Sequence, residues 1–345
     1  MTTINDLLRH STFSAADSQR SGYSTIDRRE TELLLAYALD KDRAHIKAHG
    51  KDTIDDRTTK KFLSLIKRRV NHEPIAYLTG SQPFYGRDFS VNKHTLIPRP
   101  ETEMLVELVK QDFSRRSRTL EDAVGRSKDV IIDIGTGSGC LAVTLALECP
   151  SAMVIASDVS GEALKVARKN AKQLGANVTF VQDSLLGPKL KSNIEYRISN
   201  IASNKNSANE SERIFSEADI RHSAKRTFDL IFVANLPYLP STDKKTMMPD
   251  VAKFEPHKAL FAGRDGSSLV VKLLEQIRYS AQRTFDIQRS GHSIFSAADI
   301  RYSIFLELDP RQTKKLASFA RKLFPKHKVT IKSDLCGRER FLTIT

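Results

Sequence analysis

Between residues 129 and 345, short apolar runs alternate with helical patterns, and this alternation limits the fold more than any other property of the chain. Asp129-Val-Ile-Ile-Asp-Ile134, Met153-Val-Ile-Ala-Ser157, Asn177-Val-Thr-Phe-Val181, Leu230-Ile-Phe-Val233 and Ser303-Ile-Phe-Leu-Glu-Leu308 read as strands. Runs that stay apolar instead of alternating belong to sheets covered on both faces. Helical patterns at 140–148, 161–173, 266–277 and 311–323 follow these runs, and two closing strands are expected near 328–332 and 340–345. Strands that alternate with helices give a parallel sheet with right-handed crossovers. The expected class is therefore α/β with a Rossmann-like sheet. In such sheets ligands sit beyond the carboxyl ends of the strands.

The strand ends carry polar groups suited to one ligand. The first strand runs into Gly135-Thr-Gly-Ser-Gly139. Glycines at a strand-to-helix turn let a ligand approach the backbone. A dinucleotide fingerprint would need its third glycine at position 140, which is Cys140; here it is Gly139. The second strand ends at Asp158, where a carboxylate can accept both ribose hydroxyls. The third ends at Gln182-Asp183, and Asp183 could accept from an adenine amine. This set fits an adenosine ligand without calling for a pyrophosphate, and S-adenosylmethionine fits well.

The fourth strand stops at Asn235-Leu-Pro-Tyr238. An Asn at that edge can hold an amide or amine by accepting a hydrogen bond. Asn and Pro are also common in ordinary strand-to-loop turns. Methyl transfer is an in-line displacement at a sulfonium methyl, so a protein need only hold a planar NH2 against that methyl. Two acceptors, one side-chain and one backbone, would fix the NH2 and oppose the charge growing on nitrogen. No His or Cys in 228–240 competes as a nucleophile.

The chain has 345 residues, 40% apolar and 28% charged, a soluble globular composition with room for about two domains. No apolar run approaches bilayer length. Residues 1–10 have no signal-peptide pattern, so a cytoplasmic location without membrane contact is expected. Cys140, Cys149 and Cys336 form no Cys-x-x-Cys pair. That suits a reducing compartment and gives no hint of a metal. The net charge of +14 fits an acidic partner such as nucleic acid, ribosome or acidic protein. A solvated Lys/Arg-rich surface would give the same charge.

Residues 1–74 read as a small helical domain, with Asp55 or Asp56 starting one of its helices. Short β segments and turns are expected from 75 to 98, through Gly80, Pro83 and Gly86. In Leu96-Ile-Pro-Arg-Pro-Glu-Thr-Glu103, two prolines flank Arg99 and stiffen the backbone. An amphipathic helix follows. Two polar, Ser-rich segments near 190–227 and 279–302 disturb the order. Phe215-Ser-Glu-Ala-Asp-Ile-Arg-His-Ser223 echoes Phe295-Ser-Ala-Ala-Asp-Ile-Arg-Tyr-Ser303. The spacing is irregular, so this is no solenoid. Both segments are expected to be repeat-derived insertions forming exposed, mobile loops.

These stretches carry a family resemblance. The chain resembles the peptide chain release factor N5-glutamine methyltransferases in Glu73-Pro-Ile-Ala-Tyr-Leu-Thr-Gly80, Phe84-Tyr-Gly86, Leu96-Ile-Pro-Arg-Pro-Glu-Thr-Glu103, Asp133-Ile-Gly-Thr-Gly-Ser-Gly139, Asn235-Leu-Pro-Tyr238, Glu255-Pro256, Ala259-Leu-Phe261, Gly263 and Asp265-Gly266. The Ile-Pro-Arg-Pro-Glu-Thr-Glu run favours this branch over the ribosomal-protein glutamine methyltransferases. The resemblance implies a helical domain that contacts release factor (1–74) and a β-hairpin linker (75–98). It implies a seven-stranded class I S-adenosylmethionine-dependent methyltransferase domain over 99–345. The acceptor would be the glutamine of the Gly-Gly-Gln motif of class I release factors, in support of translation termination. Direct nucleic-acid binding is not required. By matching position, Asp133, Gly135, Thr136, Gly137, Ser138, Gly139 and Asp158 bind the donor, with Asp183 and Ser184 at its adenine. Asn235 and the carbonyl of Leu236 hold the glutamine amide beside the donor, Pro237 and Tyr238 shape its slot, and Arg99 and Glu101 lie near.

Two other readings compete. Adenine-N6 nucleic-acid methyltransferases share an Asn-Pro-Pro-Tyr-like motif and suit a basic field. They must extrude a base, and this chain has no obvious added base-reading domain. A donor-binding protein that has lost catalysis is suggested by the insertions and by Leu236, where the family has proline. That proline contributes a fixed φ near −65°. Pro237 still pushes residue 236 toward extended conformations, so its carbonyl should keep its direction. Leu236→Pro is expected to change glutamine methylation by less than about tenfold, or 1.4 kcal/mol of barrier. An inert wild type restored to turnover by this substitution would establish the non-catalytic reading instead.

Overall fold

The structure, a computed structural model, describes residues 2–10, 26–116, 127–202, 227–283 and 300–345. The N-terminal part contains helices α1 (Ile4–His10), α2 (Arg28–Leu39), α3 (Arg43–Ala48), α4 (Asp56–Val70) and α5 (Ile75–Thr79). Asp27, Asp42 and Asp55 start α2, α3 and α4. Each carboxylate accepts the backbone N–H three residues on, at 2.7, 2.7 and 2.8 Å. Such caps satisfy donors that a helix start leaves orphaned. Leu34, Leu35, Ile46, Phe62 and Ile66 form the core of this unit.

The β pattern expected from residue 75 begins later. Pro74 (φ −60°) and Gly80 (φ +72°) bracket a short helix, α5, whose Leu78 packs into the helical core. Proline pre-sets a helix-compatible φ, and glycine takes the left-handed stop without strain. The antiparallel hairpin then comprises β1 (Ser81–Phe84) and β2 (Arg87–Ser90). Phe84 and Phe89 leave it edge to face, with centroids 5.9 Å apart, and enter the main core.

A 3-10 turn at Pro100–Thr102 leads into α6 (Glu103–Arg116). Then follow β3 (Ser127–Ile134), α7 (Cys140–Glu148), β4 (Met153–Asp158), α8 (Gly161–Leu174), β5 (Val178–Gln182), α9 (Pro188–Ala202) and β6 (Thr227–Ala234). The chain closes with α10 (Pro249–Phe254), α11 (Ser268–Arg283), β7 (Ile300–Glu307), α12 (Thr313–Leu323), β8 (Val329–Ser333) and β9 (Glu339–Ile344). The seven strands lie in the order β5-β4-β3-β6-β7-β9-β8. The first five positions are parallel and β9 is antiparallel to both neighbours. The chain builds outward from β3 to β5, then returns to place β6 on the other side of β3. That reversal opens a crevice at the carboxyl ends of β3 and β6.

Both faces of the sheet are covered. Val130, Ile132, Ile134, Phe232, Ile304 and Leu306 meet α9, α11 and α12. Ile131, Ile231, Val233 and Phe305 meet α6, α7 and the hairpin. The period of two therefore sends apolar side chains to both cores, which is why these strands read as continuous runs.

The expected insertion near 190–227 is corrected over its first part. Leu190, Ile194 and Ile198 of α9 are buried, and with Leu186 they form a stripe at every fourth residue. Packing of one helical face outweighs the polar average of the segment. Likewise 279–283 complete α11, and 300–302 belong to β7. The remainder, 203–226 and 284–299, lies outside the described residues.

Arg69 of α4 joins the two parts of the molecule. It is nearly buried and donates to Glu30 at 3.0 Å and to Asp250 of α10 at 2.9 Å. Among the described residues no helix is long and apolar enough to cross a membrane.

β6 and β7 begin at the amino edge of the sheet, a full strand length from the crevice, and residues 203–226 and 284–299 precede them in sequence. Shortening either segment is expected to leave donor affinity within about threefold of wild type, or roughly 0.6 kcal/mol. Calorimetry checks this; a tenfold loss would show that the segments reach the crevice.

Candidate active site

A cavity of about 410 Å³ occupies the crevice, within the usual small-molecule range of roughly 300–1,000 Å³. Its floor is the loop between β3 and α7. Gly135 and Gly139 have φ of +78° and +82°. A Cβ would lie 2.9 Å from Leu236 Cδ2 at the first, and 3.0 Å from Ala167 Cβ at the second. Backbone conformation and close packing both demand glycine there. The N–H groups of Gly135 and Thr136 donate to the Ser157 carbonyl at 2.8 and 2.9 Å, which lays the loop across β4.

Asp133 does not line the cavity. It is fully buried behind the loop and accepts the Thr136 hydroxyl at 2.6 Å; burial pushes its carboxyl up to about 7. It holds the loop from beneath. Gly139 is likewise a packing position, at the start of α7. Gly135, Thr136, Gly137 and Ser138 do line the cavity. Buried Asn170 of α8 donates to the carbonyls of Ser138 and Ser90, at 2.8 and 2.9 Å, and accepts the Ser90 N–H at 2.8 Å. It thereby ties the hairpin to the glycine loop.

Asp158 stands at the end of β4. Its carboxylate accepts the Gly137 N–H at 2.9 Å and the Ser160 N–H at 2.8 Å, one on each oxygen. Each oxygen keeps a lone pair, enough for the two hydroxyls of a ribose. Burial raises this carboxyl above its ordinary value, against the pull of those N–H donors. Val159 beside it lines the cavity and is 62% exposed, an apolar face open to a planar ring. Asp183 and Ser184 also line the cavity. The Asp183 carboxylate accepts the N–H groups of Ser184 and Leu190, at 2.8 and 2.9 Å. It staples its loop to α9 and keeps spare acceptor capacity. These two carboxylates, the glycine loop and the apolar face fit S-adenosylmethionine in size and chemistry.

Asn235 lines the cavity and donates its Nδ2 to Thr102 Oγ1 at 3.0 Å. The Thr102 hydroxyl in turn donates to Glu307 Oε2 at 2.7 Å. Leu236 does more than supply a carbonyl: its side chain is buried in the core beneath Gly135. Pro237 lines the cavity. Tyr238 does not. Its hydroxyl donates to Glu307 Oε1 at 3.4 Å, and its carbonyl accepts from Gln312 at 2.8 Å. Burial, reinforced by the Glu307 charge, pushes its phenol well above the ordinary value.

Arg99 lines the cavity and donates to buried Glu255 at 2.6 Å. Glu101 does not reach the cavity; it pairs with Arg338 at 3.1 Å. Successive side chains of a 3-10 turn diverge by a third of a revolution. Glu101 therefore faces outward and Thr102 inward. Cys140 lines the cavity, but burial pushes its thiol up to about 12, so no thiolate is poised there. Among the described residues no group of three His, Cys, Asp or Glu side chains could hold a metal ion.

Thr102 and Glu307 were not singled out from sequence as site residues, and Glu255 only within the Glu255-Pro256 pair of the resemblance. Glu307 had a legible signal: it is a lone carboxylate inside an apolar strand, and carboxylates are almost never fully buried unless paired. Thr102 sits inside the Arg99–Glu103 stretch but carries no charge to draw notice.

Asp158→Ala is expected to weaken S-adenosylmethionine binding by roughly 1.5–3 kcal/mol, as lost charged hydrogen bonds do. In wild type the affinity should fall as the pH drops through the raised pKa of Asp158, because protonation removes acceptor capacity. Unchanged affinity of the variant in calorimetry would remove Asp158 from the donor site.

Residues 15–80 match the PrmC N-terminal domain family, and residues 110–241 match the methyltransferase small domain family. The chain is 35% identical over 250 residues to the release factor glutamine methyltransferase of Koribacter versatilis, covering 72% of this chain and 74% of that protein. It is 28% identical over 316 residues to the release factor glutamine methyltransferase of Bacillus cereus, 92% of either chain. It is 35% identical over 245 residues to a bifunctional methyltransferase of Rickettsia typhi, covering 69% of this chain and 41% of that larger protein. With a relative of that identity matched over three-quarters of its length, a methyltransferase sheet and its glycine loop in place, the chain belongs to the release factor glutamine methyltransferase family.

Proposed function

We propose that the protein transfers a methyl group from S-adenosylmethionine to the side-chain amide nitrogen of a glutamine in class I peptide chain release factors, the glutamine of their Gly-Gly-Gln motif. The observation that carries this reading is the placement of Asn235. Its NH2 is engaged by Thr102, which leaves Oδ1 as the acceptor it can offer to the cavity. A carboxamide NH2 is the complementary donor.

When bound, S-adenosylmethionine supplies an electrophilic methyl on a sulfonium. Asn235 Oδ1 and the Leu236 carbonyl accept the two N–H bonds of the glutamine amide and turn its nitrogen toward the methyl. An amide nitrogen is a weak nucleophile, so orientation is the main contribution, and such positioning supplies up to roughly 7–11 kcal/mol. Methyl transfer, in which the nitrogen–carbon bond would form as the carbon–sulfur bond broke, would develop positive charge on the glutamine nitrogen. The two fixed oxygen dipoles oppose that charge without reorganising. One N–H proton would then leave to water, giving a methylated amide and a neutral thioether. Asp158 and Asp183 hold the adenosine end, and Arg99, braced by Glu255, forms part of the wall.

Asn235→Ala is expected to bind the donor almost as wild type does and to lose turnover by about 10²–10³-fold, the usual effect of deleting one charge-stabilising partner. The assay offers radiolabelled donor with release factor, with release factor lacking the glutamine, and with nucleic acid. Label in the intact release factor alone supports the proposal. Label in nucleic acid, or near-wild-type methylation by the variant, would overturn it.

A further inference from the structure

We infer that Thr102 and Glu307 are positioning residues that set the polarity of the Asn235 amide, through a one-way chain of hydrogen bonds from Asn235 to Thr102 to Glu307. The inference rests on the role proposed for Asn235 and adds what selects an amide as its partner. A primary amide has two ends of almost equal shape. Turned one way it offers the cavity an acceptor, and turned the other way a donor. Only the first holds an NH2. The second would favour a carboxylate or carbonyl.

The direction is imposed from the far end. Glu307 is 1% exposed, and Oε1 faces the Tyr238 hydroxyl at 3.4 Å and the Arg340 guanidinium at 3.7 Å. Arginine has donors only; burial raises the Glu307 carboxyl above its ordinary value, while the Thr102 hydroxyl and the Arg340 charge draw it back toward the ionised form. In its ionised form the carboxylate accepts and cannot donate. The Thr102 hydroxyl, 2.7 Å from Oε2, must therefore give its single proton to Glu307. Its oxygen then has only lone pairs left for Asn235, 3.0 Å away, and Asn235 must answer with NH2. Oδ1 is left for the cavity. Thr102 is itself 2% exposed, so no bulk water competes for its lone pairs.

The chain also joins three separate parts of the sequence. Asn235 follows β6, Thr102 ends the 3-10 turn before α6, and Glu307 ends β7. A buried carboxylate with one polar partner missing would be costly. The site thus uses a group that must be satisfied for stability to orient one that must be oriented for chemistry. This predicts selectivity as well as rate: the slot prefers a glutamine NH2 and disfavours a glutamate at the same position.

The test separates the hydroxyl from its volume. Thr102→Val keeps the shape and removes the hydrogen bonds. Its kcat on release factor should fall by about 10–100-fold, as loss of an orienting partner does, while donor affinity by calorimetry stays within threefold. Thr102→Ser restores the hydroxyl and should recover most of the turnover. Glu307→Gln offers an amide that can donate to Thr102, so the chain can run backwards; kcat should fall similarly. The Thr102→Val/Glu307→Gln double variant should be no slower than the slower single variant, because both break one chain. Melting midpoints and donor affinity show whether each variant is folded. Three results overturn the inference: Thr102→Val within threefold of wild type in kcat, Thr102→Ser as slow as Thr102→Val, or fully additive losses. In each case an inactive Asn235→Ala would leave the role of Asn235 standing. Near-wild-type turnover by Asn235→Ala would instead remove the proposed site itself.

Discussion

The parallel pairing of β3 with β6 is the constraint on which the rest of the site depends. Asp133 lies opposite Val233 in that register. The glycine loop and the Asn235 turn therefore leave the sheet side by side. A slip of one residue would exchange the two faces of β6 and carry its apolar side chains to the wrong core. Both cores bury side chains from these strands, so a slip would be opposed from two sides. The position of the cavity is thus a consequence of packing far larger than the site itself.

Around the cavity, loop shape is held by side chains bonded to backbone rather than by regular ladders. Asp158 takes N–H groups from the glycine loop and from its own turn, Asp183 closes its own loop, Asn170 ties hairpin to glycine loop, and Gln312 holds the carbonyls of Tyr238 and Asp265 at 2.8 and 2.9 Å. Buried polar groups are costly when unpaired. Each of these bonds therefore satisfies a loop and restricts it together. Side chains bonded in this way have few alternative positions, which suits a reaction that relies on aim.

The segment from Ser241 to Ala259 carries part of the cavity wall, including Pro256 and His257, and is braced from outside the sheet. Arg69 and His72, at the end of α4, both face Asp250 of α10, at 2.9 and 3.3 Å. Glu255 at the end of α10 receives Arg99 and the Ile97 N–H from the linker. The helical N-terminal unit and the hairpin linker are therefore mechanically continuous with the wall of the site. β3, β6 and β7, by contrast, begin at the opposite edge of the sheet.

Sequence by itself determined the sheet, the glycine loop, the strand-end carboxylates and the Asn-Leu-Pro-Tyr turn. Each is a local pattern: an apolar run, a glycine spacing, a polar residue where a run stops. It misjudged elements whose local signal was averaged away. The α9 stripe sat in a Ser-rich stretch, and α5 was five residues between a proline and a glycine. Tertiary structure alone decided which groups face the cavity. It withdrew Asp133, Gly139, Glu101 and Tyr238 from the lining, kept Arg99 there and brought in Thr102 and Val159. It also joined Asn235, Thr102 and Glu307, which are far apart in the chain. The reason is physical: the direction of a side chain depends on the pitch of its turn and on what is packed behind it, and neither is written in residue order.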